Sequence, residues 1–304
     1  MSALPRILIL GAHGQLGRAL KERFADAGEI VAFGRESVDL ANPEQLRATV
    51  RQSAPRVILN AAAYTAVDRA ESEPELAQAV NAQAPAVLAG EANRAGALLV
   101  HYSTDYVFDG SKTGPWSETD ATNPINVYGA SKLAGERAIQ EAGGQSLIFR
   151  TSWVYGPTGN NFLRTMLRLG RERDRLSIVD DQVGAPTTTR ELAAATRSIL
   201  DGVLAGNFGQ PEEWAGLYHM TCADSVSWFG FAQAIFARVA GLAGARQPQL
   251  TPIPSSAYPT PARRPLNSVL SNRKLYERFG VRLASWEMAL DEVMRELAAA
   301  GELG

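Results

Sequence analysis

Residues 7–17 read Ile-Leu-Ile-Leu-Gly-Ala-His-Gly-Gln-Leu-Gly. Four consecutive aliphatic side chains leave a strand no polar face, so it must be covered on both sides. That is the mark of a parallel sheet flanked by helices rather than of a half-exposed antiparallel one. Glycines then stand where the strand turns sharply into a helix. Gly11 permits the turn, Gly14 lets backbone approach a phosphate, and Gly17 allows the helix to pack closely on the strand. Gln15 and Leu16 open that helix, whose free N–H groups form an anion site. The spacing is G-x-x-G-x-x-G, and its position after the first strand of the chain points to a dinucleotide loop.

The first half of the chain repeats this rhythm. Arg6–Leu10, Glu29–Phe33, Arg56–Asn60, Ala97–Ser103 and Ser146–Thr151 are expected as buried strands. Helical patterning separates them over Gln15–Ala27, Pro43–Ser53, a long stretch around Pro74–Ala95, and Val127–Ala142. The expectation is an α/β fold: a Rossmann-type doubly wound parallel sheet over residues 1–151. Residues 152–304 are expected to form a smaller, mixed α/β substrate domain, with 187–206 packing back on the first. Within it, Asn161–Glu172, Thr189–Ala205 and Ser285–Ala300 read as helices, while the prolines of Gln247–Pro265 demand loop or extended backbone.

Charge narrows the partners. A formal net charge of −2 gives no electrostatic case for nucleic acid or an anionic membrane. The single cysteine excludes an internal disulfide, and three scattered histidines show no metal-ligand spacing. The apolar run at the N-terminus is too short for a signal peptide, and no later segment is long enough to span a bilayer, so a cytoplasmic protein is expected.

Chemistry gathers on three further segments. Tyr128 and Lys132 lie at i and i+4, on one helical face. A phenol beside an ammonium suits proton delivery to the alkoxide formed when a ketone is reduced. Thr104, expected at the carboxyl end of the fourth strand, can polarise the carbonyl, and its neighbour Asp105 can tune proton affinities or cap the next turn. The end of the second strand lacks the usual acid for an adenosine ribose and reads Phe33-Gly34-Arg35-Glu36; Arg35 is either a contact for a 2′-phosphate or a solvated loop charge, and Asp39 could meet the adenine end. The small residues Asn60–Ala63 would let a dinucleotide lie against backbone. Asn161 opens a helix, Arg263 and Arg264 could clamp a diphosphate or form salt bridges, and Trp153 faces the cleft or the core.

Taken together, these motifs resemble the extended short-chain dehydrogenase/reductases. The stretches 60–68 (NAAAYTAVD), 102–108 (YSTDYVF), 126–136 (NVYGASKLAGE), 150–155 (RTSWVY), 181–187 (DQVGAPT) and 259–267 (PTPARRPLN) narrow the resemblance to the dTDP-4-dehydrorhamnose reductase family. It implies NADPH- or NADH-dependent reduction of a dTDP-4-keto sugar at C4, for polysaccharide biosynthesis. Tyr128 would be the proton donor, Lys132 its partner and Thr104 the carbonyl-polarising hydroxyl. Asp105 and Trp153 would meet the sugar, while Asn161 and Arg264 are substrate candidates from their residue types alone. Gly14, Gln15, Leu16, Asp39, Leu40, Ala62, Ala63, Tyr64, Thr65 and Tyr102 would border the nicotinamide cofactor. Some members are homodimers with Mg²⁺ between subunits, held through a glutamate where Ala19 stands here. An epimerase or dehydratase of the same fold is the nearest alternative, and a non-catalytic regulatory subunit the next; the first is weakened by the lack of a glutamate after Asp105, the second by the intact Tyr128–Lys132 pair.

Overall fold

The computed structural model describes residues 5–240 and 247–303. The first layer runs β1 (Arg6–Leu10), α1 (Gln15–Arg23), β2 (Glu29–Phe33), α2 (Pro43–Ser53), β3 (Val57–Asn60), α3 (Val67–Ala70), α4 (Pro74–Gln78), α5 (Ala84–Ala95), β4 (Leu98–Thr104), α6 (Val127–Ala142) and β5 (Ser146–Thr151). It continues with β6 (Val154–Tyr155), α7 (Phe162–Glu172), β7 (Arg175–Val179), β8 (Val183–Gly184), β9 (Thr187–Thr188), α8 (Thr189–Leu204), α9 (Pro211–Trp214), β10 (Gly216–His219), β11 (Val226–Ser227), α10 (Trp228–Val239), β12 (Gln249–Ile253), α11 (Arg273–Phe279) and α12 (Trp286–Ala299).

Six strands pair in the order β10-β5-β4-β3-β1-β2, all parallel. The pleat sends alternate residues to opposite faces. Ile7, Ile9, Leu59 and Val100 pack with Leu20 of α1 and Leu192 and Ile199 of α8. Leu8, Leu10, Ile58 and Leu99 pack with Leu46 of α2, Leu88 of α5 and Ile139 of α6. Each such buried aliphatic side chain contributes about 1.5–3 kcal/mol, which is why the strands carry no polar alternation. A separate core joins α7, α10 and α12 through Leu163, Met166, Phe231, Ile235, Trp286 and Leu290.

Residue 151 is not where the sheet ends. Beyond it α8 returns to pack on α1, β10 supplies the sixth strand beside β5, and Leu275 and Phe279 of α11 enter the same core as Ile7. The long helix expected around Pro74–Ala95 is divided: a π-helical turn over Ala79–Gln83 separates α4 from α5. The proline-rich stretch includes an extended segment, β12, that pairs with β7 at the edge of a two-stranded sheet, where a proline's missing N–H is tolerated.

Candidate active site

The glycine loop forms as its spacing requires. A Cβ on Gly17 would sit 2.0 Å from the Gly11 carbonyl oxygen, so α1 can approach the turn this closely only with glycine there. The cradle suits a dinucleotide: one groove, bordered by Gly11, Gly14, Arg35, Asp39, Leu40 and Tyr64, meets a second at the backbone of Ala61–Ala63 and Thr65. Gln15 and Leu16 stand where the two join the α1 N-terminus. The second cleft, about 390 Å³, also takes in Tyr102, Thr104, Asp105, Tyr128, Lys132 and Trp153. Residues far apart in sequence thus meet in one continuous furrow at the carboxyl ends of the strands, where open α/β sheets bind ligands.

Asn126 caps α6, accepting from the Gly129 N–H at 2.7 Å, and its own amide donates to the Arg263 carbonyl at 2.7 Å. This aims the Tyr128–Lys132 face at the cleft. Tyr128 packs edge-on against Tyr106, with ring centroids 5.8 Å apart. Burial pushes its phenol up to about 12; a hydrogen bond with Thr104 eases that shift and the Asp105 charge adds to it. Lys132 takes no part in the shift. Its ammonium position is instead occupied with strand β4, donating to the Tyr102 carbonyl at 2.6 Å and standing 3.2 Å from His101 Nε2. The amine of Lys132 is thus turned to the sheet rather than to the phenol. Burial brings Lys132 down to about 8, with the Glu136 charge opposing the shift.

Thr104 donates to Asp105 Oδ1 at 3.0 Å and accepts from the Tyr106 N–H at 3.2 Å. Asp105 is almost wholly buried, and burial raises its carboxyl to about 7, partly offset by the side chains of Ser268 and Thr104. Among the described residues its Oδ2 receives no well-formed hydrogen bond. The result is an acid that titrates near neutrality beside the reacting pair.

Trp153 adopts φ 48°, a left-handed conformation rare for a bulky residue, and stacks on Trp228 at 3.4 Å between centroids. The glycine of the 181–187 stretch explains how it fits: a Cβ on Gly184 would lie 2.5 Å from the Trp153 ring. Trp228 was not singled out from the sequence, because it sits in a helix start indistinguishable from core. Asn81 was missed too. At the π-helical turn it accepts from the Tyr64 N–H at 2.8 Å and donates to Ser131 at 3.0 Å, tying the cofactor-side loop to α6.

Two expected substrate contacts are engaged elsewhere. Asn161 caps α7 and donates to Gln15 Oε1 at 2.8 Å, so its amide joins the two halves. Arg264 pairs with Asp68 at 2.8 and 3.0 Å and also donates to Thr260, because the 259–267 segment crosses α3. Neither borders the cleft; Asn160 does. At the groove's other end Glu36 stands 3.1 Å from His13, both beside Gly34. Ala19 packs on the core and offers no carboxylate, so the position that the resemblance ties to Mg²⁺ does not fit the ion.

A doubly wound parallel sheet with a glycine turn after its first strand and a Thr–Tyr–Lys cleft beside it is the architecture of a nicotinamide-dependent reductase. The comparisons with known proteins narrow this. The model for the RmlD substrate binding domain matches residues 5–299. The dTDP-4-dehydrorhamnose reductase of Burkholderia thailandensis is 50% identical over 96% of this chain and 99% of its own, and that of Escherichia coli 46% over 96% and 97%. The solved dTDP-4-dehydrorhamnose reductase of Bacillus anthracis, in complex with NADP, superposes with a TM-score of 0.88 at 35% identity, covering 96% of this chain and 99% of its own. The chain belongs to the dTDP-4-dehydrorhamnose reductase family. No helix among the described residues is long and apolar enough to cross a membrane.

Proposed function

We propose that this protein reduces the C4 ketone of dTDP-4-dehydro-β-L-rhamnose to dTDP-β-L-rhamnose, with NADPH or NADH as reductant. The observation that carries the reading is the convergence of Thr104, Tyr128 and Lys132 in the cleft that joins the glycine-loop groove. The bound dinucleotide supplies the hydride. The protein's part is to hold the ketone, protonate it and exclude water. Tyr128, a protonated phenol across the working range, gives its Oη proton to the oxygen that becomes the C4 hydroxyl. Thr104 turns its hydroxyl from Asp105 to the same oxygen and polarises it. The Lys132 ammonium, released from the Tyr102 carbonyl, meets the nicotinamide ribose and offsets the phenolate left on Tyr128. Trp153, flat on Trp228, walls the sugar face of the cleft.

Arg35 and His13 supply cationic or donor groups for a 2′-phosphate, while Glu36 can accept from ribose hydroxyls when no phosphate is present. Both reduced cofactors are therefore expected to serve. The test is to supply dTDP-4-dehydro-β-L-rhamnose with each reduced cofactor, follow loss of reduced-nicotinamide absorbance, and identify the product by NMR. Absence of consumption with both cofactors refutes the assignment. A protein that instead purifies with tightly held oxidised cofactor and interconverts dTDP-sugars without net oxidation is an epimerase.

A further inference from the structure

Between the sheet and Lys132 lies a chain of polar side chains that the reaction above does not use. Asn60 at the end of β3, His101 on β4 and Lys132 on α6 are each 1% exposed. The imidazole bridges the other two: Nδ1 is 3.0 Å from Asn60 Nδ2, and Nε2 is 3.2 Å from Lys132 Nζ. Burial holds His101 well below its ordinary range, so the ring carries a single proton. Where that proton sits follows from the far side of Asn60. There Oδ1 accepts the Ala62 N–H at 3.3 Å, and a reversed amide would set two donors against each other. Nδ2 must then face the ring as donor, Nδ1 must accept, and the proton resides on Nε2.

An N–H is thereby aimed at an amine. An ammonium has three donors and no acceptor, so this contact is favourable only for the uncharged amine, whose lone pair can receive it. We propose that His101 is a positioning residue for Lys132: locked by Asn60 as the Nε2–H tautomer, it donates to Nζ and biases the lysine toward its uncharged form until the cofactor arrives. Burial acts in the same direction. The charge that acts against it is Glu136, one turn along α6, itself held by Arg150 of β5 at 2.6 and 2.9 Å and by the Ser103 hydroxyl of β4. Tyr128, one turn back, is a neutral phenol, and β3 faces the group with Asn60. The inference rests on the reading of Lys132 as the ammonium that meets the nicotinamide ribose, whose hydroxyl oxygens would accept where His101 cannot.

The tautomer can be read without turnover. Three histidines make nitrogen-15 spectra of histidine-labelled protein simple, and His101→Gln assigns the His101 signals. In cofactor-free wild-type protein, long-range proton–nitrogen correlations are expected to show His101 protonated at Nε2 alone from about pH 6 to pH 9. The alkaline limb of kcat/KM for the reduced cofactor, which reports the free enzyme, gives the lysine. His101→Phe should move that limb up by roughly half to one pH unit, the scale of one hydrogen-bond preference removed. Asn60→Asp, which takes the Nδ1 proton and turns the Nε2 lone pair to Lys132, should move it further. An Nδ1–H tautomer in the wild type overturns the proposal, whether or not the protein is a reductase. So does a limb that stays in place in both variants while only thermal stability falls, which is what mere packing would produce.

Discussion

Replacing Tyr128 by phenylalanine removes one hydroxyl and little else. The ring keeps its edge-on packing against Tyr106, and Thr104 keeps both its bond to Asp105 and that from the Tyr106 N–H. The structural loss is one hydrogen bond, about 0.5–1.5 kcal/mol, or a few degrees in Tm for a chain of this size. The loss to the reaction is far larger, because the proton donor to the C4 oxygen is gone and a general acid typically supplies about 10²–10⁴ in rate. At 1.36 kcal/mol per tenfold, that is about 3–5.5 kcal/mol on the barrier. Steady-state kinetics with dTDP-4-dehydro-β-L-rhamnose should show the fall in kcat. Cofactor affinity, measured by nucleotide-fluorescence titration, should stay within about twofold, because the glycine loop and Lys132 are untouched. A folded variant that binds cofactor normally and keeps kcat within about tenfold of wild type refutes Tyr128 as the proton donor.

Gly17→Ala forces a methyl to within 2.0 Å of the Gly11 carbonyl; α1 must retreat by roughly 1 Å, a misplacement of the size that costs about 10²-fold, read as lost affinity for the reduced cofactor in the same titration. Asp105 titrates in the folded protein at about 7 because of burial, against an ordinary 3.8; its neutral form contributes stability that is full below about pH 4 and lost as pH rises through about 7. Asp105→Asn should therefore raise Tm at about pH 8 and leave it nearly unchanged at about pH 4, while turnover falls; a Tm difference independent of pH would contradict the assignment. Arg35→Ala should raise KM for NADPH about tenfold, one charge-assisted contact, and leave KM for NADH within about twofold; an equal effect on both would make Arg35 a solvated charge.

Much of the cofactor half was legible because its signals are local. Four aliphatics in a row, a glycine every third residue and a Tyr–Lys pair one turn apart each follow from backbone periodicity, and strands β1, β2 and β5 fall where the pattern put them. The family-like stretches located Thr104, Asp105 and Trp153 in the cleft as well. What was not legible depends on contacts between distant segments. For Arg264 the sequence leaves a diphosphate clamp and a salt bridge open; the 259–267 segment crosses α3, and there Asp68 pairs with it. Asn161 caps α7 as its place at the helix start suggests, but its amide is held by Gln15, a partner that only the fold brings near. Glu36 lies three residues past the end of β2, and only the fold sets it against His13.

The amino-acid order alone determined that the chain forms a doubly wound sheet with a phosphate turn, because aliphatic runs and absent side chains restrict the backbone wherever they occur. It also determined that a phenol and an amine share a helix face. Only the tertiary structure decided what those groups do before a cofactor binds. Lys132 turns to the Tyr102 carbonyl and His101 rather than to Tyr128, and Asp105 is carried into surroundings that raise it to about 7. Charge state depends on which atoms surround a group in space, and those atoms come from β3, β4, α6 and the 259–268 segment, brought together only by the closed fold.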